Sequence, residues 1–222
     1  NGQNLRYMVS VQRELPGQML VEAAYVGSRG VSLIANTENL NQVLPEYFSL
    51  GAQLTQTIPN PFFGSITSGT LSGPTIPRQQ LLRLYPQYTG VSRVTPAFGN
   101  SIYHAIQLKL EKRMARGVAA LVAFTGAENI SDISTPQNAF DRQAERAVTD
   151  FDVPQRLTFA VAWDLPFGRG RAFANSIHRA ADLLIGGWQL SSFSTFQGGF
   201  ALGFGVQGGN YPAGVSIRPN VL

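Results

Sequence analysis

Apolar and polar side chains alternate residue by residue over several stretches of about 10 to 13 residues, which is the two-residue period of a β-strand. Leu157, Phe159, Val161, Trp163 and Leu165 interleave with Thr158, Ala160, Ala162 and Asp164, while Ile106, Leu108 and Leu110 interleave with Gln107, Lys109 and Glu111. Each stretch therefore has one apolar face. Strands of soluble sheets average about 5 to 6 residues, whereas a tilted strand needs about 9 to 11 to cross a bilayer. The length points to a membrane.

The same pattern places the elements. A first strand runs from about Leu5 to Glu14, with Leu5, Tyr7, Val9 and Val11 on one face and Arg6, Ser10 and Gln12 on the other. Pro16 and Gly17 turn it into a second strand beginning at Met19, with Met19, Val21, Ala23 and Tyr25 opposite Glu22 and Ala24, and ending near Gly27 to Gly30. Alternation then lapses over residues 31–99, a proline-punctuated connection of roughly 70 residues, far beyond the usual loop length. Within it, Pro45 followed by Tyr47, Leu50 and Leu54 predicts a short helix. A third strand spans about Ile102 to Met114 and a fourth about Val118 to Asn129, joined at Arg116 and Gly117. A second long connection covers about 130–154, where Phe140, Ala144 and Val148 are spaced for a short helix. The fifth strand is Gln155 to Leu165. After it, Ile177, Ala181 and Leu184 predict a helix capped by Asn175 or Ser176 and stopped by Gly186. A sixth strand runs from Trp188 to Gln197, and the glycine-rich stretch from Gly198 to Gly209 has room for a seventh.

Connections after the first, third and fifth strands are short or moderate, and those after the second and fourth are long. Outer-membrane barrels show this asymmetry, with short periplasmic turns and long extracellular loops. Tyr25, Tyr103, Phe124, Trp163, Phe167, Trp188 and Phe196 lie toward strand ends, where an interfacial aromatic girdle would sit. The expected fold is all-β: an antiparallel up-and-down transmembrane barrel segment of about six to seven strands, with long extracellular loops carrying short helices. The expected location is the cell outer membrane. The alternative is a soluble or filament-forming extracellular β-sheet module, adhesive or structural, with its apolar faces buried against other sheets.

Composition narrows the classes. Of 222 residues, 44% are hydrophobic and 14% charged, which excludes a disordered chain. No run of about 18 apolar residues occurs, so no transmembrane helix is expected. There are no cysteines, which excludes a disulfide scaffold and a thiolate metal site. The net charge is +4 and 15 of the 17 basic residues are arginines, but they are dispersed, so no nucleic-acid partner is expected. The chain opens on Asn1 rather than Met, and the expectation is that a preceding segment was removed.

Candidate chemistry is sparse. Gly203 to Gly208 fits GxGxxG, but Gly209, Asn210, Tyr211 and Pro212 follow where a dinucleotide site needs a helix. His104 and His178 are the only histidines, and no nucleophile elbow accompanies them. Asp141, Glu145, Asp150 and Asp152 carry oxygens of a kind that calcium takes, yet their spacing fits no EF-hand and they interleave with Arg142 and Arg146, so ion pairing among themselves is expected. Gly168, Arg169, Gly170 and Arg171 read as a turn. No catalytic, cofactor-binding or metal-binding residue is assigned, and the protein is not expected to be an enzyme. Arg6, Gln12, Glu22, Gln107, Lys109, Glu111 and Asp164 would face a lumen if the apolar faces meet lipid.

Five segments resemble the barrel of Oar-like TonB-dependent outer-membrane receptors: Ala24 to Gly30, Tyr103 to Arg113, Asp150 to Leu157, Asp164 to Gly170 and Gly186 to Leu190. They occur in that family's order and span most of the chain. The resemblance implies a plugged barrel of about 22 strands, energised through a TonB protein, that binds or imports an extracellular ligand. Residues 1–222 would then be one region of that barrel, without a plug domain or an energy-coupling box. Its partners would be outer-membrane lipid, the remaining strands and plug or other chains completing the sheet, and an unknown ligand met by the loops about 31–99 and 130–154.

Overall fold

In the computed structural model, residues 2–203 are described. Strands β1 (Gln3–Leu15) and β2 (Met19–Ile34) form a hairpin. Its turn puts Gly17 at φ 83° and Gln18 at φ 60°, the left-handed region that glycine enters without steric cost. The first long connection carries four short strands: β3 (Glu38–Asn39), β4 (Thr57–Pro59), β5 (Thr75–Pro77) and β6 (Ser92–Arg93), paired β3 with β6 and β4 with β5. Strands β7 (Ala97–Ala115) and β8 (Val118–Ser131) form the second hairpin. Both turn residues, Arg116 and Gly117, have positive φ, the two-residue geometry that matches strand twist. The short β9 (Ala147–Val148), β10 (Gln155–Asp164) and β11 (Gln189–Gln197) complete the sheet, and one helix, α1 (Arg179–Ile185), lies between β10 and β11.

The six long strands run antiparallel in the order β1, β2, β7, β8, β10, β11, each beside its chain neighbour, and the sheet stays open. β9 adds to β8 above β10. Register fixes the faces, because residues directly opposite share a side. Val11, Ala23, Leu108, Phe124, Leu157 and Phe196 form one row, and Val21, Leu110, Val122 and Phe159 stand beside them in the next. The other face carries Gln12, Glu22, Lys109, Ala123, Thr158 and Thr195. The alternation read from the sequence is thus continuous across the sheet.

Neither face is covered by a second sheet among the described residues. Val11 remains 70% exposed and Ile106 57%, an arrangement that needs an apolar solvent. Within the sheet the small Ala24 and Ala105 are buried, and the larger buried apolar side chains lie elsewhere. Val43, Leu54, Leu71 and Ile76 all sit in the connection between β2 and β7. That connection is folded around its own small core.

The local expectations fare unevenly. A helical segment does start at Pro45, but Pro45–Thr55 is 3-10 and breaks at Gly51, where φ is 48°. The helix expected around Phe140, Ala144 and Val148 is replaced by a 3-10 turn, Gln143–Glu145, followed by β9. Val148 is drawn into the ladder opposite Ile130, and Asn138 Oδ1 accepts the Phe140 amide at 2.9 Å, a local turn that competes with helix. α1 is capped by His178, whose Nδ1 accepts from the Ala180 amide at 3.3 Å, rather than by Asn175 or Ser176. Asn175 Oδ1 accepts from the Gly170 amide instead. Gly186 ends the helix as expected. Residues 198–203 hold no strand, and the remainder of the expected seventh strand, with most of the Gly203 to Gly208 run, lies outside the described residues.

Candidate functional site

The two long connections meet above the same end of the sheet, and a buried carboxylate joins them. Glu38 sits on β3, its side chain fully buried. β6 brings Arg93 beside it, with Arg93 Nε donating to Glu38 Oε1 at 2.5 Å and Nη2 to the same oxygen. Arg142, from the second connection, donates from Nη1 to Glu38 Oε2 at 3.0 Å and from Nη2 to the Asp132 carbonyl at 2.9 Å. Both guanidiniums lie over the Phe98 ring, Arg93 at 4.7 Å and Arg142 at 3.6 Å from its centroid. A carboxylate out of water needs this compensation. Around it, the Asn36 amide donates to the Ile133 carbonyl and the Ala139 amide to Gln42 Oε1, each at 2.9 Å.

Side-chain amides hold the rest of the first connection in place of regular ladders. Asn41 donates to the carbonyls of Tyr85 and Tyr88 and accepts the Tyr85 amide. Gln80 donates to the carbonyls of Pro86 and Tyr88. Asn60 donates to the carbonyls of Leu71 and Gly73 and accepts the Phe62 amide. With the backbone pinned, the rings of Phe63, Tyr85, Tyr88 and Phe140 stay exposed at the loop surface. Two groups here titrate away from their usual ranges. The Tyr47 phenol is raised, chiefly by hydrogen bonding to the neighbouring Glu46 carboxylate, and Arg83 is lowered by burial.

Sequence candidates are dispersed. Arg6, Gln12, Glu22, Gln107, Lys109, Glu111 and Asp164 do share the polar face of the sheet, and Lys109 Nζ pairs with Glu111 at 2.9 Å. Toward the short-turn end this face becomes an open bay of about 850 Å³ with Leu121, Ala160 and Phe193 in its wall. Two members of the Asp141 to Asp152 cluster reach outside it. Arg142 turns to Glu38, and Glu145 Oε1 accepts the Gln137 amide at 2.6 Å. No group of three metal-ligating side chains forms among the described residues. The Gly168 to Arg171 segment is a turn, with the Arg169 amide donating to Asp182 Oδ1. Glu38 was not distinguished by sequence, because its nearest signal, a lone acid in a polar loop, ordinarily marks a solvated position.

His104 lies on the apolar face, where its Nδ1 is 2.6 Å from the Tyr25 hydroxyl, whereas His178 caps α1. Tyr7 stands next to Tyr25, with ring centroids 6.1 Å apart. These rings mark the long-loop end of the apolar face, and Trp163 and Trp188 mark the other. Tyr103 departs from the expected girdle, since register puts it on the polar face with Arg6, Ser28 and Asn129. Phe124 and Phe196 sit mid-face. On β7, His104 and Lys112 bracket the apolar rows across about 27 Å of strand, or about 20 Å once tilted, against a barrel band of about 25 Å.

Long antiparallel strands with one lipid-facing side, one polar side, tight turns at one end and folded loops at the other define a wall of an outer-membrane β-barrel. The chain belongs to the outer membrane beta barrel domain family, whose model matches residues 1–222. Neither a search of curated proteins nor one of solved structures gives a match.

Proposed function

We propose that this wall belongs to a TonB-dependent receptor of the Oar-like type, which captures an extracellular ligand with its joined loops and imports it without covalent chemistry. The carrying observation is the Glu38 clamp. A loop pair fixed by a buried carboxylate between two arginines presents preorganised rings and amides, which lowers the ordering cost of binding. The five resembling segments favour this receptor type. The polar face, with its alternating Glu22, Lys109 and Glu111 and its open bay, offers a plug both charge partners and a small-residue surface. The open edges at β1 and β11 would pair with the remaining strands of the barrel, because unpaired backbone groups are too costly in lipid. The ligand is met at the loops, not by a catalytic centre.

The test uses cells making the full-length receptor against cells lacking it, comparing solute depletion from the medium with and without a protonophore. Import predicts that particular solutes are cleared only when the receptor and the proton gradient are both present. Equal clearance by both strains, or clearance indifferent to the gradient, overturns it.

A further inference from the structure

The connection between β10 and β11 carries an apolar surface that neither the wall nor the loops explain. In α1, Leu183 is 86% exposed and Leu184 74%, and Phe167, Phe173 and Trp188 are exposed nearby. Three arginines, Arg169, Arg171 and Arg179, are also exposed, and among the described residues none of their side chains has an acceptor, while the single acid, Asp182, is occupied by the Arg169 amide. Exposed leucines beside unpaired arginines fit a membrane surface, where apolar side chains enter the acyl boundary and cations meet phosphate headgroups.

Register decides which side of the wall this surface occupies. The ladder continues one rung past β10 and β11, with the Leu165 amide donating to the Trp188 carbonyl at 2.8 Å. Alternation puts Leu165 and Trp188 on the same face as Trp163 and Leu190, which is the lipid-facing one. The Trp188 indole N–H donates to the Leu184 carbonyl at 2.8 Å, so the end of α1 is tied to a ring on the lipid side. We propose that residues 165–188 form an interfacial foot, in which Leu183, Leu184 and Trp188 enter the periplasmic leaflet of the outer membrane and Arg169, Arg171 and Arg179 bind its phospholipid phosphates. The foot is continuous with the apolar face of the wall. It rests on the barrel placement alone and stands or falls apart from the import reading.

This chain contains no cysteine, so once any cysteine elsewhere in the full-length protein is replaced by serine, a nitroxide label reports from a single introduced thiol. The full-length protein carrying Leu183→Cys, or Leu184→Cys as a second site, is labelled in phosphatidylglycerol vesicles, and collision rates with oxygen and with a water-soluble nickel complex are compared. Gln143→Cys in the extracellular loops is the aqueous reference. The foot predicts a several-fold loss of nickel collisions at 183 and 184 relative to 143, with oxygen collisions retained. Nickel collisions equal to those at 143 would place α1 in water and overturn the proposal, and shielding from both reagents would show a protein covering and overturn it equally. R169Q/R171Q/R179Q is expected to move the label toward water, and an unchanged depth would refute phosphate binding by the arginines.

Discussion

Replacing Glu38 by glutamine removes one charge from the junction of the two loops while keeping its shape. Arg142 is the consequential partner, since its side chain is only 21% exposed and is held by the Asp132 carbonyl and the Phe98 ring. Losing its charge-assisted bond costs about 1.5–3 kcal/mol. Arg93 is 46% exposed, so water replaces most of what it loses and its share is about 0–1 kcal/mol. The sum, near 3 kcal/mol, corresponds to a rise on the order of 100-fold in the undocked population, at about 1.4 kcal/mol per factor of ten. Hydrogen exchange of the full-length protein in vesicles reads this through the Asn36 and Ala139 amides, whose acceptors lie across the junction. Both are expected to exchange faster in Glu38→Gln by a factor of that order, with Leu108 and its ladder neighbours unchanged. Protection at both positions equal to that of the parent protein would refute the clamp as the element joining the loops.

Leu108→Arg puts a cation in the middle row of the lipid face and is expected to lower folding stability in vesicles by about 2–4 kcal/mol, whereas Gln107→Arg, one residue away on the polar face, is expected to be near neutral; equal effects would mean the faces are misassigned. At Gly27 an added Cβ would come within 2.2 Å of the outer end of the Tyr7 ring, which is exposed and can swing aside, so Gly27→Val is expected to cost the β1–β2 hairpin about 0.5–1.5 kcal/mol, with Tyr7→Ala recovering part of the loss in the double variant's detergent-unfolding midpoint. The raised Tyr47 phenol favours the protonated folded state, so its contribution is complete below the ordinary tyrosine range and is lost as pH climbs through the raised value. Glu46→Gln is expected to shift one phenolate transition at 295 nm to lower pH, and an unaltered titration would exclude Glu46 as the cause.

The wall was legible because lipid imposes a period of two on every crossing strand. Leu157 to Leu165 and Ile106 to Leu110 could alternate in no other way and still meet hydrocarbon on one side. Strand ends were less so: β2 reaches Ile34 and β7 begins at Ala97 because their pairing continues past an irregularity between Gly30 and Leu33, which alternation cannot register. The loop interior was hidden for a different reason. Asn41, Asn60 and Gln80 organise it through bonds to backbone carbonyls, and such bonds leave no periodic trace. Glu38 and Arg142 stand 104 residues apart, with nothing in either neighbourhood to announce the other. The same holds at the foot, where the Trp188 and Leu184 contact turns a predicted helix into a surface with a direction.

The large buried apolar side chains sit in the first long connection while the apolar face of the wall stays exposed, which gives this chain two solvents and two cooperative units. Val43, Leu54, Leu71 and Ile76 leave water for protein, and their cohesion is the ordinary hydrophobic effect. The wall leaves water for hydrocarbon, and its cohesion is the insolubility of bare peptide groups in oil. Urea acts on the first from the aqueous side, and exchange of lipid for a harsher detergent acts on the second. A single melting temperature therefore has no unique meaning for this protein, since each unit has its own denaturant.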